Sequence, residues 1–106
     1  MATGRLATFQ VGSSNTTLYT VPTGYYAIAN VSITNQNASS ITLKIAMAST
    51  TTPTASEWIE WNTVIPGNGV FERTGLVLGA GLNIVGVSSN ASGVYATVYG
   101  IETSTT

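Results

Sequence analysis

The segment with the most potential for chemistry holds two glutamates beside two tryptophans, Glu57-Trp58-Ile59-Glu60-Trp61. Carboxylate pairs carry out glycoside hydrolysis, so a hydrolase that uses Glu57 or Glu60 is one hypothesis. In a β-strand, however, side chains three positions apart point to opposite faces, so these two carboxylates would not reach one bond together. We favour an interpretation in which one of Trp58 and Trp61 packs in the core and the other lies at a rim or an interface.

Few other side chains could carry out catalysis. The chain contains no histidine, cysteine or aspartate, the residues that supply most general acids and bases, thiol nucleophiles and transition-metal ligands. Charged residues make up 7% of its 106 residues. We therefore expect a protein without enzymatic activity, metal or cofactor, whose function depends on packing and association. Its charged side chains are Glu57, Glu60, Glu72, Glu102, Arg5, Lys44 and Arg73.

A glycine-rich segment, Gly79–Gly86, superficially resembles a nucleotide-binding loop. A dinucleotide-binding fingerprint requires a third glycine five positions after the first and a helix behind it, but Ile84 stands at that position. No P-loop lysine follows either. The glycines are better explained by a tight hairpin turn between a strand at 76–78 and a strand at 82–87.

Aromatic rings offer a second kind of binding chemistry, since the chain has five tyrosines: Tyr19, Tyr25, Tyr26, Tyr95 and Tyr99. Sites for single-stranded nucleic acid combine such rings with a basic groove, which three cations cannot supply, so we expect no nucleic-acid partner. Alternation places Tyr95 and Tyr99 on one face of the last strand, as a stripe that packs across strands. A carbohydrate-binding module with tyrosine and tryptophan platforms is the alternative.

Six residues are predicted to form an interface. The neighbours Glu72 and Arg73 are interpreted as an ion pair, either solvated or between subunits. The tryptophan pair and the tyrosine pair that follows Gly24 add large contact surfaces of the kind enriched at interfaces. The candidate interface residues are Tyr25, Tyr26, Trp58, Trp61, Glu72 and Arg73.

A two-residue alternation of apolar and polar side chains runs through almost the whole chain and predicts about eight β-strands. No window has a helical period, apart from a turn before Glu57. The fold class is therefore all-β, as a single antiparallel β-sandwich of the jelly-roll or immunoglobulin-like type. The predicted strands are Arg5–Val11, Thr16–Val21, 25–34, 41–47, Glu57–Asn62, Gly69–Leu78, Leu82–Ser88 and Val94–Ile101.

Turn-forming residues predict how these strands connect. The polar segment 35–40 has hairpin length, so the strands on either side of it are expected to form an antiparallel hairpin. A turn is predicted at 21–24, and Pro66-Gly67 suits a type II turn with positive φ after proline. The segment 49–56 has no apolar anchor and is predicted to be a surface loop.

Length and charge indicate one domain that associates with other proteins. A chain of 106 residues can bury a single core, so we predict one sandwich domain over 1–106 with short arms at about 1–4 and 103–106. The formal net charge of −1 favours close association, including homo-oligomers. The sequence shows neither an apolar run of signal-peptide length nor a stretch long enough to span a membrane, so we expect synthesis in the cytosol and no membrane partner.

Three stretches have a motif pattern that is more specific than strand alternation. The first is LYTVPTG at 18–24, which continues into a strand of alternating aliphatics that ends at Asn35. The second is the segment 75–84, which matches a glycine, leucine, glycine and isoleucine pattern, and the third is the closing strand VYGIE at 98–102. Together they extend over most of Thr16 to Glu102, and they resemble a family of small β-sandwich virion structural proteins of tailed bacteriophages. The paired tyrosines Tyr25-Tyr26 depart from many relatives, which have a charged residue after the glycine.

This resemblance implies a structural component of a phage particle that is made in the cytoplasm of a bacterial host. It implies a decoration or cement protein on the head shell, or a component of the tail, neck or fibre. The partners would be other virion proteins, either the major capsid protein or tail proteins.

Overall fold

The computed structural model describes residues 3–105, which form eight β-strands and one short 3₁₀ helix. The strands form two antiparallel four-stranded sheets that pack face to face as a β-sandwich, as the alternation predicts. No α-helix occurs among the described residues, and a 3₁₀ turn, Ala55–Glu57, ends at Glu57. The strands are β1 (Thr3–Gln10), β2 (Thr16–Thr20), β3 (Tyr25–Asn35), β4 (Ile41–Ala48), β5 (Trp58–Ile65), β6 (Val70–Leu78), β7 (Asn83–Ser88) and β8 (Val94–Ser104).

The order of the strands is that of a jelly roll. Sheet I has the order β1-β8-β3-β6 and sheet II the order β2-β7-β4-β5. The first strand pairs with the last, the second with the seventh, the third with the sixth and the fourth with the fifth, as in one long antiparallel ribbon wrapped around itself. In an immunoglobulin-like sandwich the first two strands lie together, whereas here β1 and β2 lie in different sheets.

Two predicted hairpins are therefore wrong. The strands β3 and β4 flank the polar segment 36–40 but belong to different sheets, so this segment crosses between the sheets. Similarly, the glycine-rich turn at 79–81 leads from β6 in sheet I to β7 in sheet II. Alternation correctly indicates that these segments are strands, but it does not show with which other strand each one pairs in a sheet.

The predicted turn at Pro66-Gly67 is present with a different residue at positive φ. The amide of Gly69 donates to the carbonyl oxygen of Pro66 at 2.9 Å, which closes the turn. Asn68 takes the positive φ of 59°, a conformation that asparagine tolerates. Gly67 is needed for another reason, because a Cβ there would lie 2.0 Å from the carbonyl oxygen of Ala38.

Aliphatic side chains from both sheets fill the space between them. β3 places Ala27, Ala29, Val31 and Ile33 in the core, as its alternation predicts. The largest fully buried side chains include Leu18, Ile33, Leu43, Ile45, Ile65, Leu78 and Ile84.

The predicted terminal arms are strand residues at 3–4 and 103–104, and Thr105 follows β8 with its amide donating to the carbonyl oxygen of Gly24 at 2.9 Å. Thr3 and Gly4 belong to β1 and lie opposite Ile101 and Gly100 of β8. Residues 103 and 104 belong to β8 and lie opposite Tyr26 and Tyr25 of β3. The arm prediction is corrected accordingly: pairing between backbones extends the strands toward both ends, although the local sequence lacks core-type alternation. Met1, Ala2 and Thr106 lie outside the described residues.

Candidate association surfaces

The outer face of sheet I carries most of the exposed apolar side chains. Residues 3–105 contain nine large hydrophobic side chains that are exposed, and six of them lie on this face. The register explains their position, because each one alternates with a core residue on its own strand or lies opposite an outward-facing residue of β3. These six are Tyr26, Ile28, Val70, Val77, Tyr95 and Ile101.

An apolar row crosses the middle strands of this face. Ile28 of β3 lies opposite Ile101 of β8 on one side and opposite Val77 of β6 on the other. Thr103 and Tyr26 form the adjoining row, so the apolar surface continues toward one end of the sheet. Water-exposed aliphatic residues on three neighbouring strands form a contiguous patch of the kind that marks interaction sites.

Two opposite charges lie on the same face, near its two edges. Arg5 of β1 lies opposite Tyr99 of β8, and Glu72 of β6 lies opposite Ser32 of β3. The hydroxyl of Tyr99 donates a hydrogen bond to Glu72 Oε2. This bond, followed by desolvation and the charge of Glu72, raises the pKa of Tyr99 above its ordinary value of 10.0.

Within one chain, Glu72 and Arg73 do not form the predicted solvated ion pair, and the alternative of a pair between subunits stays a prediction. Arg73 lies opposite the core residue Val31, so its side chain points toward sheet II while Glu72 points outward. Arg73 Nη1 donates instead to Glu60 Oε2 at 2.6 Å, which joins β6 to β5 at the edge of the sandwich. Thr63 Oγ1 donates to the other oxygen of Glu60 at 2.9 Å.

The tryptophans lie on the outer face of sheet II. Trp58 is half-buried and packs on a small cluster of Ala46, Ala48 and Val85, which is separate from the core between the sheets. Trp61 is 60% exposed and meets Trp58 edge to face, with ring centroids 5.7 Å apart. The prediction of one tryptophan in the core is therefore corrected: Trp58 covers the outside of a sheet.

The ammonium group of Lys44 lies over one face of the Trp61 ring. Lys44 Nζ lies 4.1 Å from the ring centroid, within the range of a cation–π interaction. A shallow depression of about 220 Å³ adjoins Lys44 and Asn62 and is otherwise lined by small polar residues and Val87.

Glu57 stabilises a loop. Its Oε1 accepts the amide hydrogen of Thr54 at 2.9 Å, and its Oε2 accepts that of Ser49 at 3.0 Å. These hydrogen bonds lower the pKa of Glu57 below its ordinary value of 4.5, the bond from Thr54 contributing most. Glu57 thus lies in the 3₁₀ turn with different partners from Glu60, and the structure does not bring the two carboxylates together as an acid–base pair.

The paired tyrosines divide between the two sides of sheet I. Tyr25 is partly buried and packs against the core, whereas Tyr26 is exposed on the outer face. The six candidate interface residues therefore form no single surface. Tyr26 and Glu72 lie on the outer face of sheet I, Trp58 and Trp61 on that of sheet II, and Tyr25 and Arg73 on the inner side of sheet I.

A buried polar pair, Tyr19 and Glu102, was not predicted from the sequence. The hydroxyl of Tyr19, on β2, donates to Glu102 Oε2, on β8, across the two sheets. Burial first, then this hydrogen bond and the charge of Glu102, raise the pKa of Tyr19 well above its ordinary value. The signal was present in the sequence, because alternation from Val98 places Glu102 on the core face of its strand.

The buried side-chain amide of Asn35 fixes the loops at one end of the sandwich. Asn35 Nδ2 donates to the carbonyl oxygens of Ser39, Ile65 and Pro66 at 3.0–3.2 Å. Its Oδ1 accepts the amide hydrogen of Asn37 at 3.0 Å. Every donor and acceptor of this buried side chain is thus used in joining the 36–40 segment to the β5–β6 turn.

Within the described range, no three metal-ligating side chains come together, and no helix is long and apolar enough to cross a membrane. In comparisons with protein-family models, with curated proteins and with solved structures, no match to this chain is found.

Proposed function

We propose that this chain is a non-enzymatic structural protein of a phage virion that decorates the head shell. The observation that carries the proposal is the concentration of exposed apolar side chains on the outer face of sheet I. A contiguous apolar surface on a chain with so few charges is suited to association with other proteins. The virion as the place of assembly follows from the resemblance of 18–24, 75–84 and 98–102 to phage β-sandwich proteins. A tail, neck or fibre position is the alternative within the same particle.

A carbohydrate-binding module is the second candidate, favoured by the exposed ring of Trp61 beside a polar depression. The positions of the exposed aromatic residues weigh against it. Tyr26 and Tyr95 lie about 26 Å apart along sheet I, and Trp61 lies on sheet II. Lys44 also occupies one face of the Trp61 ring, which reduces the surface left for stacking on a sugar.

Attachment to particles tests the leading proposal. Purified protein is added to particles of the encoding phage that were assembled without it, and bound protein is measured after sedimentation in about 0.05 M and about 1 M salt. We expect attachment at both salt concentrations, because the chain has few exposed charges for salt to screen. Imaging of the saturated particles then distinguishes the head from the tail.

Two results would contradict the proposal. One is the absence of attachment to any part of the particle. The other is binding to a glycan array that Trp61→Ala abolishes while the protein stays folded, which would identify the carbohydrate-binding module instead.

A further inference from the structure

We propose that the outer face of sheet I binds the same face of a second copy, around a two-fold axis that is parallel to the strands and passes between β8 and β3. This inference rests on the proposed function in treating the face as an association surface. It names a second copy as the partner that covers the face, so the protein attaches to the particle as a dimer, through surfaces outside this face. In such a pair each contact occurs twice, because the same surface of both copies is used.

The apolar row matches itself under this symmetry. Rotation about this axis reverses the left-to-right order of the strands and leaves the position of each residue along the strand direction unchanged. As a result, β3 of one copy lies over β8 of the other. Ile28 and Ile101 occupy the same row on these two strands. Ile28 of each copy therefore packs on Ile101 of the other, at the centre of the interface, where buried side chains contribute most.

The charges match as well. Arg5 and Glu72 lie on the two edge strands of sheet I, three strand spacings or about 14 Å apart, too far for an ion pair within one chain. The same axis places β1 of one copy over β6 of the other. Arg5 lies in the row of Asn30 and Glu72 in the next outward-facing row, that of Ser32, which is about 7 Å along the strand. Their long side chains can span that distance, so two Arg5–Glu72 pairs form between the copies.

The area agrees with a stable dimer. Four strands at about 4.8 Å spacing and about ten residues of about 3.3 Å each give a face of roughly 600–700 Å² per copy. The sum for two copies, roughly 1,200–1,400 Å², lies within the range of specific interfaces. The outer face of sheet II is less suited, since Trp58 already covers its small cluster and Lys44 adds a cation beside Trp61.

Sedimentation equilibrium of the purified chain, with no particle present, tests this arrangement. Val77 on sheet I and Val64 on sheet II are both 63% exposed, so Val77→Lys and Val64→Lys form a matched pair. We expect a wild-type dimer, a dimer constant weakened at least about tenfold by Val77→Lys, and no change with Val64→Lys. Ile28→Lys, at the centre of the face, should weaken it at least about 30-fold.

A charge exchange tests the symmetry. Arg5→Glu or Glu72→Arg alone places like charges together and should weaken the dimer, while the double variant should restore it. Unfolding curves identify any variant whose fold is damaged. If the charge-exchange variants are damaged, the single variants Arg5→Gln and Glu72→Gln replace them as the test. Each of these two is expected to weaken the dimer severalfold.

The results separate this inference from the proposed function. A chain that is monomeric at about 100 μM would overturn the dimer, since interfaces of this size bind at micromolar concentrations or lower. A dimer that Val64→Lys disrupts and Val77→Lys leaves intact would overturn it too, as would failure of the double exchange to restore association. A monomer that still attaches to particles would overturn the dimer and support the proposed function. A dimer that attaches to no particle would support the dimer and overturn the proposed function.

Discussion

The hydroxyl of Tyr19 donates a hydrogen bond to the carboxylate of Glu102, 83 positions away in the sequence and on the opposite sheet. Tyr19 is 7% exposed and Glu102 is 8% exposed. A buried carboxylate is costly unless a donor satisfies it, so this bond offsets the desolvation of Glu102 at one end of the core.

Tyr19→Phe should lower the free energy of unfolding by about 1–3 kcal/mol, because it leaves the buried Glu102 carboxylate without this donor. Urea unfolding at neutral pH measures the change. Tyr99→Phe is the matched control, since it removes a similar bond to Glu72 at a site that is exposed in the single chain, and it should lower the free energy of unfolding by clearly less than Tyr19→Phe does. Equal decreases in the free energy of unfolding of the two variants would show that burial does not make the Tyr19–Glu102 bond the more important one.

The stability contributed by Tyr19 should fall at high pH. Its pKa is raised in the folded protein, so above the ordinary value of 10.0 the unfolded chain loses this proton while the folded chain keeps it. Above pH 10 the free energy of unfolding therefore falls by up to about 1.4 kcal/mol per pH unit. Below pH 10 the stability that Tyr19 contributes is fully present. The stability difference between wild type and Tyr19→Phe should therefore narrow from about pH 10 upward. A difference that stays constant to pH 11 would show that the tyrosine is not perturbed.

Gly100→Ala should destabilise the protein by about 3 kcal/mol. The residue has a φ of 152°, and a Cβ there would lie 2.1 Å from the carbonyl oxygen of Ile28 on the central strand β3. Gly79→Ala is the control, because a Cβ at that position has no neighbour within 4 Å. Thermal unfolding of both variants checks the prediction, and a Gly100→Ala protein as stable as the control would refute it.

Glu57→Gln should loosen the 49–56 loop, since an amide oxygen accepts hydrogen bonds more weakly than a carboxylate. Amide hydrogen exchange at Ser49 and Thr54 should become faster, while exchange in the core strands stays unchanged. In the wild type, an NMR titration should place the Glu57 midpoint below 4.5, because its bonds favour the charged form. The loop contacts are therefore lost only as the pH falls through that lowered midpoint.

Alternation in the sequence was sufficient to predict the eight strands and the side chains that β3 buries. It could not predict which strands are neighbours, because β3 pairs with β8, and the paired residues of these two strands lie about 60 to 80 positions apart in the sequence. The apolar outer face of sheet I was missed for this reason. Ile28, Val77 and Ile101 are distant in sequence and become one patch only through that pairing.

Irregular pairing explains the errors in the tryptophan segment. Parity along a regular strand places Trp58 and Trp61 on opposite faces, yet both lie outside sheet II. The β4–β5 register shifts between Ile45 and Ala46, where one step on β4 faces two steps on β5, from Glu60 to Trp58. This bulge inserts one residue between the two tryptophans and reverses the parity, which no alternation pattern reveals in advance.

The position of β8 governs how the chain can fold as it is made. This strand is the last of the eight to leave the ribosome, yet it lies between β1 and β3. At about 5–20 residues per second, roughly 3–12 s separate the end of β3 from the start of β8. The strands of sheet II, by contrast, have all emerged once β7 is made. Translation therefore lets sheet II form first, and sheet I closes over it when the final strand arrives.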